Sequence, residues 1–365
     1  MKKILFVAPN LEHGGAESVL VKIINNIDLK NYEVKLALLQ KRGSHLSKLK
    51  NDIEILDLKA KGPIESILEL KKVIRQEKPT TVFSIIGHVN IYMAILKVLF
   101  FKNTKFIARE NVVYSEWLYK DRNIKKIVLG MLYSIYLKKL DVIMVQSNFM
   151  AEQVVRYFNV PKDNIAVFNN PLEHSKIDEL QKQELNDNRW DFNKINLIAV
   201  GRIEKVKNYE DMIDIFNTLP DKFHLNILGD GKEKKNLQNY ISEKSMDSKI
   251  TLYGYVDNPY KYMQNSFVLL LTSHRESYPN VVLEANACGI YAVSYDMPGG
   301  IKEMIKEGVN GSIVTYGNKK EFANKILQIS KDGYNSNVIL EGIKKYSIDS
   351  YMSNLYKLLV GNHDV

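Results

Sequence analysis

The run Ser273-His274-Arg275-Glu276-Ser277-Tyr278-Pro279-Asn280-Val281-Val282-Leu283-Glu284 places two carboxylates around one strand-to-helix junction. Val268–Leu271 reads as a buried strand, and Pro279-Asn280 opens a helix, because proline suits a first helical turn. The free N–H groups at a helix start attract phosphate and sugar oxygens. Glu276 then stands just outside the helix and Glu284 about one and a half turns inside it. Both can accept from vicinal hydroxyls of one ligand. Taken alone, the pair leaves a second reading open, in which Glu276 caps the helix and Glu284 is a solvated charge.

A second cluster follows another apolar strand: Val200-Gly201-Arg202-Ile203-Glu204-Lys205-Val206-Lys207-Asn208. Gly201 lets the chain turn sharply and a ligand approach the backbone closely. Arg202 and Lys207 supply two cations where a diphosphate would need neutralising, with Lys205 the more solvent-facing of the lysines. Near the start, Asn10-Leu11-Glu12-His13-Gly14-Gly15-Ala16-Glu17 again joins a strand to a helix, so Gly14 and Gly15 can admit a polar ligand. The third glycine of a dinucleotide fingerprint is missing there.

The elements that carry these loops alternate. Strands at Ile4–Ala8, Val34–Leu39, Ile53–Leu56, Thr81–Ile85, Lys105–Ala108 and Val142–Gln146 are separated by helical patterns, and the rhythm resumes from Leu197 to Val314. Such alternation implies βαβ units and parallel sheets, whose ligands lie beyond the carboxyl ends of the strands. The expectation is an α/β protein of two doubly wound, Rossmann-like domains facing across a cleft. Residues 1–172 form the first and 173–346 the second. The polar, strand-poor stretch Leu172–Lys194 reads as the connection.

Composition narrows the class. Of 365 residues, 45% are hydrophobic and 25% charged, as in ordinary globular proteins. The single cysteine, Cys288, excludes an internal disulfide and fits a reducing compartment. The opening apolar run is too short for a secretion signal, and the stretch Ile91–Phe101 is too short to cross a bilayer. A cytoplasmic protein is expected. The net charge of +9 fits nucleic acid, an anionic membrane, a phosphorylated ligand or simply a lysine-rich surface.

The Glu-x7-Glu spacing, the following Ala287-Cys288-Gly289 and Asp296-Met297-Pro298-Gly299-Gly300, and the Gly201-Arg202…Lys207 run resemble the retaining glycosyltransferases of the GT-B fold, family 4. The resemblance implies that Glu276 meets the donor sugar, Glu284 the ribose hydroxyls, and Arg202 and Lys207 the diphosphate. It extends the donor contacts to Gly14, Gly15, Gly201, Ser277, Tyr278, Pro279 and Asn280, with Tyr255 beside the base. That ring reads equally well as core. Ser277 and Tyr278 replace the commoner Gly and Phe, and Tyr291 a frequent Pro. The implied activity moves a hexose or N-acetylhexosamine from a nucleoside diphosphate, UDP by expectation, to a glycan or lipid-linked saccharide in bacterial polysaccharide synthesis. A front-face reaction, with no carboxylate nucleophile of the glycosidase kind, goes with it. With no Asp-x-Asp motif or metal-ligand cluster, neither metal nor cofactor is expected. The rival readings are a GT-B nucleotide-sugar epimerase and a non-catalytic sugar- or membrane-binding homologue.

Acceptor-side candidates are polar residues at strand ends in the first half: His88, Glu110 and Asn111, with Glu110 the carboxylate best placed to orient a hydroxyl. Between Tyr114 and Lys139, the aromatics Trp117, Tyr119, Tyr133 and Tyr136 interleave with Lys120, Arg122, Lys125, Lys126, Lys138 and Lys139. That pattern suits peripheral attachment to an anionic membrane face, or else a core helix with a lysine-covered outer side. Nucleic-acid modules are not recognisable. A C-terminal helix, about 347–365, is expected to pack back on the first domain.

Overall fold

The structure is a computed structural model describing residues 1–12, 14–50, 52–115 and 124–360. The chain divides into Met1–Pro171 together with the segment from Ile348 onward, and Leu172–Ser347.

The first unit is built on a seven-stranded sheet: β1 (Lys2–Ala8), β2 (Tyr32–Leu38), β3 (Glu54–Asp57), β4 (Thr81–Ser84), β5 (Lys105–Arg109), β6 (Val142–Val145) and β7 (Ile165–Val167). Their order is β3-β2-β1-β4-β5-β6-β7, and every pairing is parallel. The second unit holds β8 (Ile195–Val200), β9 (Phe223–Leu228), β10 (Ile250–Gly254), β11 (Val268–Leu271), β12 (Tyr291–Tyr295) and β13 (Gly311–Val314). Their order is β10-β9-β8-β11-β12-β13, again all parallel.

Strands buried on both faces read as unbroken apolar runs. In β1, Leu5 and Val7 enter one core while Ile4, Phe6 and Ala8 enter the other. In β11, Val268 and Leu270 face one core and Leu269 and Leu271 the opposite one. Strand order reverses between β1 and β4 in the first sheet and between β8 and β11 in the second, creating the crevice where open α/β sheets hold ligands.

The helix Ile348–Val360 belongs to the first unit. Tyr356 stacks on Tyr32 at 5.4 Å between ring centroids and accepts from the Asp28 N–H at 2.8 Å. Tyr351, edge-on to Phe168 at 5.4 Å, lies beside the buried Arg109 guanidinium, which donates to Asn170 Oδ1.

One expectation fails. The stretch Leu172–Lys194 is not a bare connection, because it contains the helix His174–Gln181 and buries Leu172, Ile177, Leu185 and Trp190 in the second unit. Trp190 packs edge-on against Tyr262 at 5.6 Å, so the indole completes a core layer that polarity alone did not reveal.

Candidate active site

Three loops at the carboxyl edge of the second sheet are stitched together. The turn after β8 meets the end of β11: the Thr272 hydroxyl donates to the Asn208 carbonyl at 2.9 Å, and His274 N–H donates to the Val206 carbonyl at 2.8 Å. The loop after β11 meets the loop after β12: Glu276 N–H reaches the Pro298 carbonyl at 3.2 Å, and Gly300 N–H reaches the Ser277 carbonyl at 3.1 Å. Glu276 and Gly299 form an isolated parallel bridge. Backbone donors and acceptors that no regular ladder could use are thereby satisfied.

Glycine permits one of these approaches and a further one, between the turns after β8 and β9. A Cβ on Gly299, at φ +135°, would lie 1.5 Å from the Glu276 carbonyl oxygen. One on Gly229, at φ +145°, would lie 1.9 Å from the Gly201 carbonyl oxygen. Gly299 thus works by letting a neighbouring strand end come close.

Within the stitched loops, Lys207 Nζ pairs with Glu276 Oε1, both side chains being less than one-fifth exposed. The buried Ser273 hydroxyl donates to the same oxygen at 2.9 Å. Arg202 is 64% exposed and pairs with Glu204 at 2.9 Å, so it can leave for a ligand at little cost. The Tyr209 hydroxyl donates to the Gly201 carbonyl at 3.1 Å, and a cavity of about 300 Å³ borders the same turn.

Glu284 lies on the helix Asn280–Ala287, whose N-cap position is Pro279. Its carboxylate is near Tyr260, whose phenol it pushes far above the usual range. Tyr255 is 59% exposed just beyond β10, so its ring is not core. Tyr278 behaves otherwise: its side chain is buried in the second unit's core. Ser277 and Asn280 remain half-buried at the edge.

In the first unit, Gly14 N-caps the helix Gly15–Asn25 without a side-chain cap. The Glu17 carboxylate folds over it, 2.0 Å from where a Gly14 Cβ would stand. That helix start already holds a negative charge, which suits a hydroxyl ligand better than a phosphate. His88 is exposed on the first turn of the helix Gly87–Phe100, edge-on to Tyr92 at 5.9 Å. Asn111 is half-buried just beyond β5.

Glu110 corrects the sequence reading. It is fully buried and accepts from Asn90 Nδ2 at 2.7 Å and from the Tyr114 hydroxyl, and Asn90 Oδ1 in turn accepts from the Ser84 hydroxyl at 2.6 Å. A carboxylate so enclosed cannot meet an acceptor hydroxyl. Burial raises its pKa from 4.5 to about 7 against the pull of both donors. The folded value lies above the unfolded one, so the stabilising share is complete below about pH 4.5 and is lost as pH rises through about 7. Relative to Glu110→Gln, wild-type stability should fall by on the order of 3 kcal/mol across that window and then level off. Denaturant titrations of both proteins from pH 4.5 to 8 test this, and parallel curves would sink it.

In the stretch read as a membrane-facing stripe or as a core helix with a lysine-covered outer side, Tyr114 and Tyr133 are core, their rings 5.6 Å apart. Trp117, Tyr119, Lys120 and Arg122 lie outside the described residues. On the helix Ile124–Tyr136 the exposed apolar side chains are Ile127, Val128, Met131 and Ile135, followed by exposed Lys138 and Lys139. No described helix is long and apolar enough to cross a membrane. Among the described residues no group of three or more His, Cys, Asp or Glu side chains could hold a metal ion.

With the two sheets and the stitched edge in view, comparison with known families decides the class. The family model described as Glycosyltransferase Family 4 matches residues 13–176, and that described as Glycosyl transferases group 1 matches residues 181–345. The chain is a family 4 glycosyltransferase. This glycosyltransferase is 27% identical over 330 residues, 87% of each chain, to the N-acetylgalactosamine-N,N'-diacetylbacillosaminyl-diphospho-undecaprenol 4-alpha-N-acetylgalactosaminyltransferase of Campylobacter jejuni. It is 23% identical, over 90% of each chain, to the amylovoran biosynthesis glycosyltransferase AmsD of Erwinia amylovora. Its fold is that of Anabaena HepE in complex with UDP and glucose, at TM-score 0.81 and 17% identity, covering 99% of this chain and 100% of that one. Sucrose-phosphate synthase from Thermosynechococcus elongatus superposes at TM-score 0.82 with 15% identity, over 99% of both chains. The architecture is GT-B, two parallel-sheet Rossmann-like domains.

Proposed function

We propose that this enzyme moves a hexose or N-acetylhexosamine, with retention and without a metal or cofactor, from UDP to a glycan or lipid-linked saccharide in bacterial polysaccharide or glycoconjugate synthesis. The reading is carried by the cluster of Lys207, Glu276 and Arg202 at the crevice between β8 and β11. Lys207 stands there against the Glu276 carboxylate, and Arg202, on the same turn after β8, is held only by an exposed pair with Glu204, so both cations are available to a leaving diphosphate and the carboxylate to a sugar hydroxyl. Gly201 brings backbone near the phosphates, Glu284 takes the ribose hydroxyls, and Tyr255 covers the base. Lys207 and Arg202 offset the charge that grows on the diphosphate as the glycosidic bond breaks, and the departing phosphate accepts the acceptor's proton. The Leu172–Ser347 unit is thus the donor side, and the Met1–Pro171 unit the acceptor side.

A thermal-shift panel of UDP, ADP, GDP and their sugar conjugates tests the donor. A true donor at a hundredfold excess over its Kd adds about 2.7 kcal/mol to stability. Equal or absent shifts across the panel would refute the donor reading.

A lipid-linked acceptor is supported by the undecaprenyl-linked acceptor in the name of the Campylobacter relative, and by the exposed apolar side chains Ile127, Val128, Met131 and Ile135 of the helix Ile124–Tyr136 with the exposed Lys138 and Lys139 just after it. We place the enzyme at the inner face of the cytoplasmic membrane on that ground. Phosphatidylglycerol vesicles should sediment the protein, and Met131→Asp with Ile135→Asp should weaken that binding at least about tenfold. Indifference to the double change would end the membrane assignment.

A further inference from the structure

Ser273 has no role in the mechanism outlined so far, yet its placement is unusual for a strand-end serine. It is fully buried and its hydroxyl donates to Glu276 Oε1 at 2.9 Å. Lys207 Nζ takes the same oxygen. The backbone of Glu276 is held independently, by its N–H to the Pro298 carbonyl at 3.2 Å and by the bridge to Gly299. The backbone of Lys207 is held by the Thr272 hydroxyl at 3.3 Å. Two donors on one carboxylate oxygen therefore fix the side chain, while the main chain is fixed by other contacts.

The two donors are not equivalent once a donor substrate arrives. A diphosphate carries more negative charge than one carboxylate and draws the Lys207 ammonium toward itself. A glutamate then left with free side-chain torsions would lose its aim at the sugar. A neutral hydroxyl does not follow the phosphate. We propose that Ser273 is a positioning residue, holding the Glu276 carboxylate in line with the donor sugar when Lys207 shifts its contact from Glu276 to the diphosphate. Of the two contacts on Glu276 Oε1, the one from Lys207 gives way to the diphosphate and the one from Ser273 persists through the exchange. The inference rests on the donor-site reading given above.

The test uses the full-length enzyme with UDP and with UDP-glucose, UDP-galactose, UDP-N-acetylglucosamine and UDP-N-acetylgalactosamine. Affinities are measured by calorimetry, and UDP release is followed as slow hydrolysis of the sugar nucleotide, water taking the glycosyl group in place of the acceptor. Ser273→Ala should bind UDP within about twofold of wild type, since UDP alone makes no use of Glu276. With the sugar nucleotide that wild type prefers, release should slow about tenfold, the loss expected for one hydrogen bond to a charged group. Ser273→Thr, which keeps the hydroxyl, should recover most of that rate. In a Glu276→Ala background the Ser273→Ala change should leave both affinities where Glu276→Ala alone put them. Three results would overturn the role: unchanged release, UDP affinity falling in step with release, or the same further loss in the Glu276→Ala background. If wild type itself binds none of the four sugar nucleotides, the donor reading has failed and the positioning role falls with it. That outcome is separable because it appears before any variant is made.

Discussion

Replacing Lys207 with alanine is expected to lower turnover by about 10²–10³-fold, the range seen when one preorganised group facing transition-state charge is removed. The geometry explains why the effect should exceed that of Arg202→Ala. Lys207 is fixed at both ends: its carbonyl accepts from the Thr272 hydroxyl, and its ammonium pairs with the half-buried Glu276. Held at the crevice in this way, the ammonium has only to exchange Glu276 for the bound diphosphate and is in place before the leaving step. Arg202 is largely in water and held only by a surface pair with Glu204, so its removal should act mainly on nucleotide affinity. Lys207→Arg should not restore the rate, because a planar fork cannot replace a point charge at this spot. Initial rates of UDP release, with the melting temperature as a control for folding, check the claim. A loss below about threefold in a folded Lys207→Ala protein would remove Lys207 from the mechanism.

Much of this arrangement was legible in the sequence because parallel sheets impose it. A buried strand followed by a glycine or a polar turn must deliver that turn to the carboxyl edge, so Gly201, Arg202, Lys207 and Glu276 could be placed before any coordinates. The order β10-β9-β8-β11-β12-β13 adds what spacing could not, that the turns after β8 and β11 are neighbours. Sequence distance says nothing about strand order. Gly299 and Ser273 illustrate the same limit, since one is small because of a carbonyl from another loop and the other matters through a side chain three residues away.

What spacing could not decide has a common cause as well. Glu110, Tyr278 and Tyr133 are polar-tipped residues in polar or basic stretches, and all three point inward, Tyr133 taking the core side of the two readings left open for its stretch. At a strand end the side chains alternate between faces, and whether a neighbouring helix covers them depends on tertiary packing. Tyr133 covers Glu110 from the helix Ile124–Tyr136, and its hydroxyl lies 2.2 Å from where a Gly87 Cβ would be. Leu172–Lys194 misled in the opposite direction, because only Leu172, Ile177, Leu185 and Trp190 of it are core and they follow no single period.

Gly299→Ala should be the most damaging single change that touches no charged group. Two costs add. An L-residue at φ +135° is strained by on the order of 1–3 kcal/mol. The new methyl carbon would also stand 1.5 Å from the Glu276 carbonyl oxygen, so the two loops must separate by more than an ångström. Backbone is what it meets, and backbone held by the Glu276–Pro298 and Ser277–Gly300 hydrogen bonds has little room to yield. Displacement on that scale at a reacting group costs about 10²-fold in rate. Gly333→Ala supplies the comparison: it too has positive φ, +71°, but nothing lies within 4 Å of its added carbon. Denaturant titration should find both variants destabilised, while UDP release slows about 10²-fold in Gly299→Ala alone. If both variants turn over like wild type, the loop contact does not position Glu276. If both slow equally, global stability rather than local geometry sets the rate.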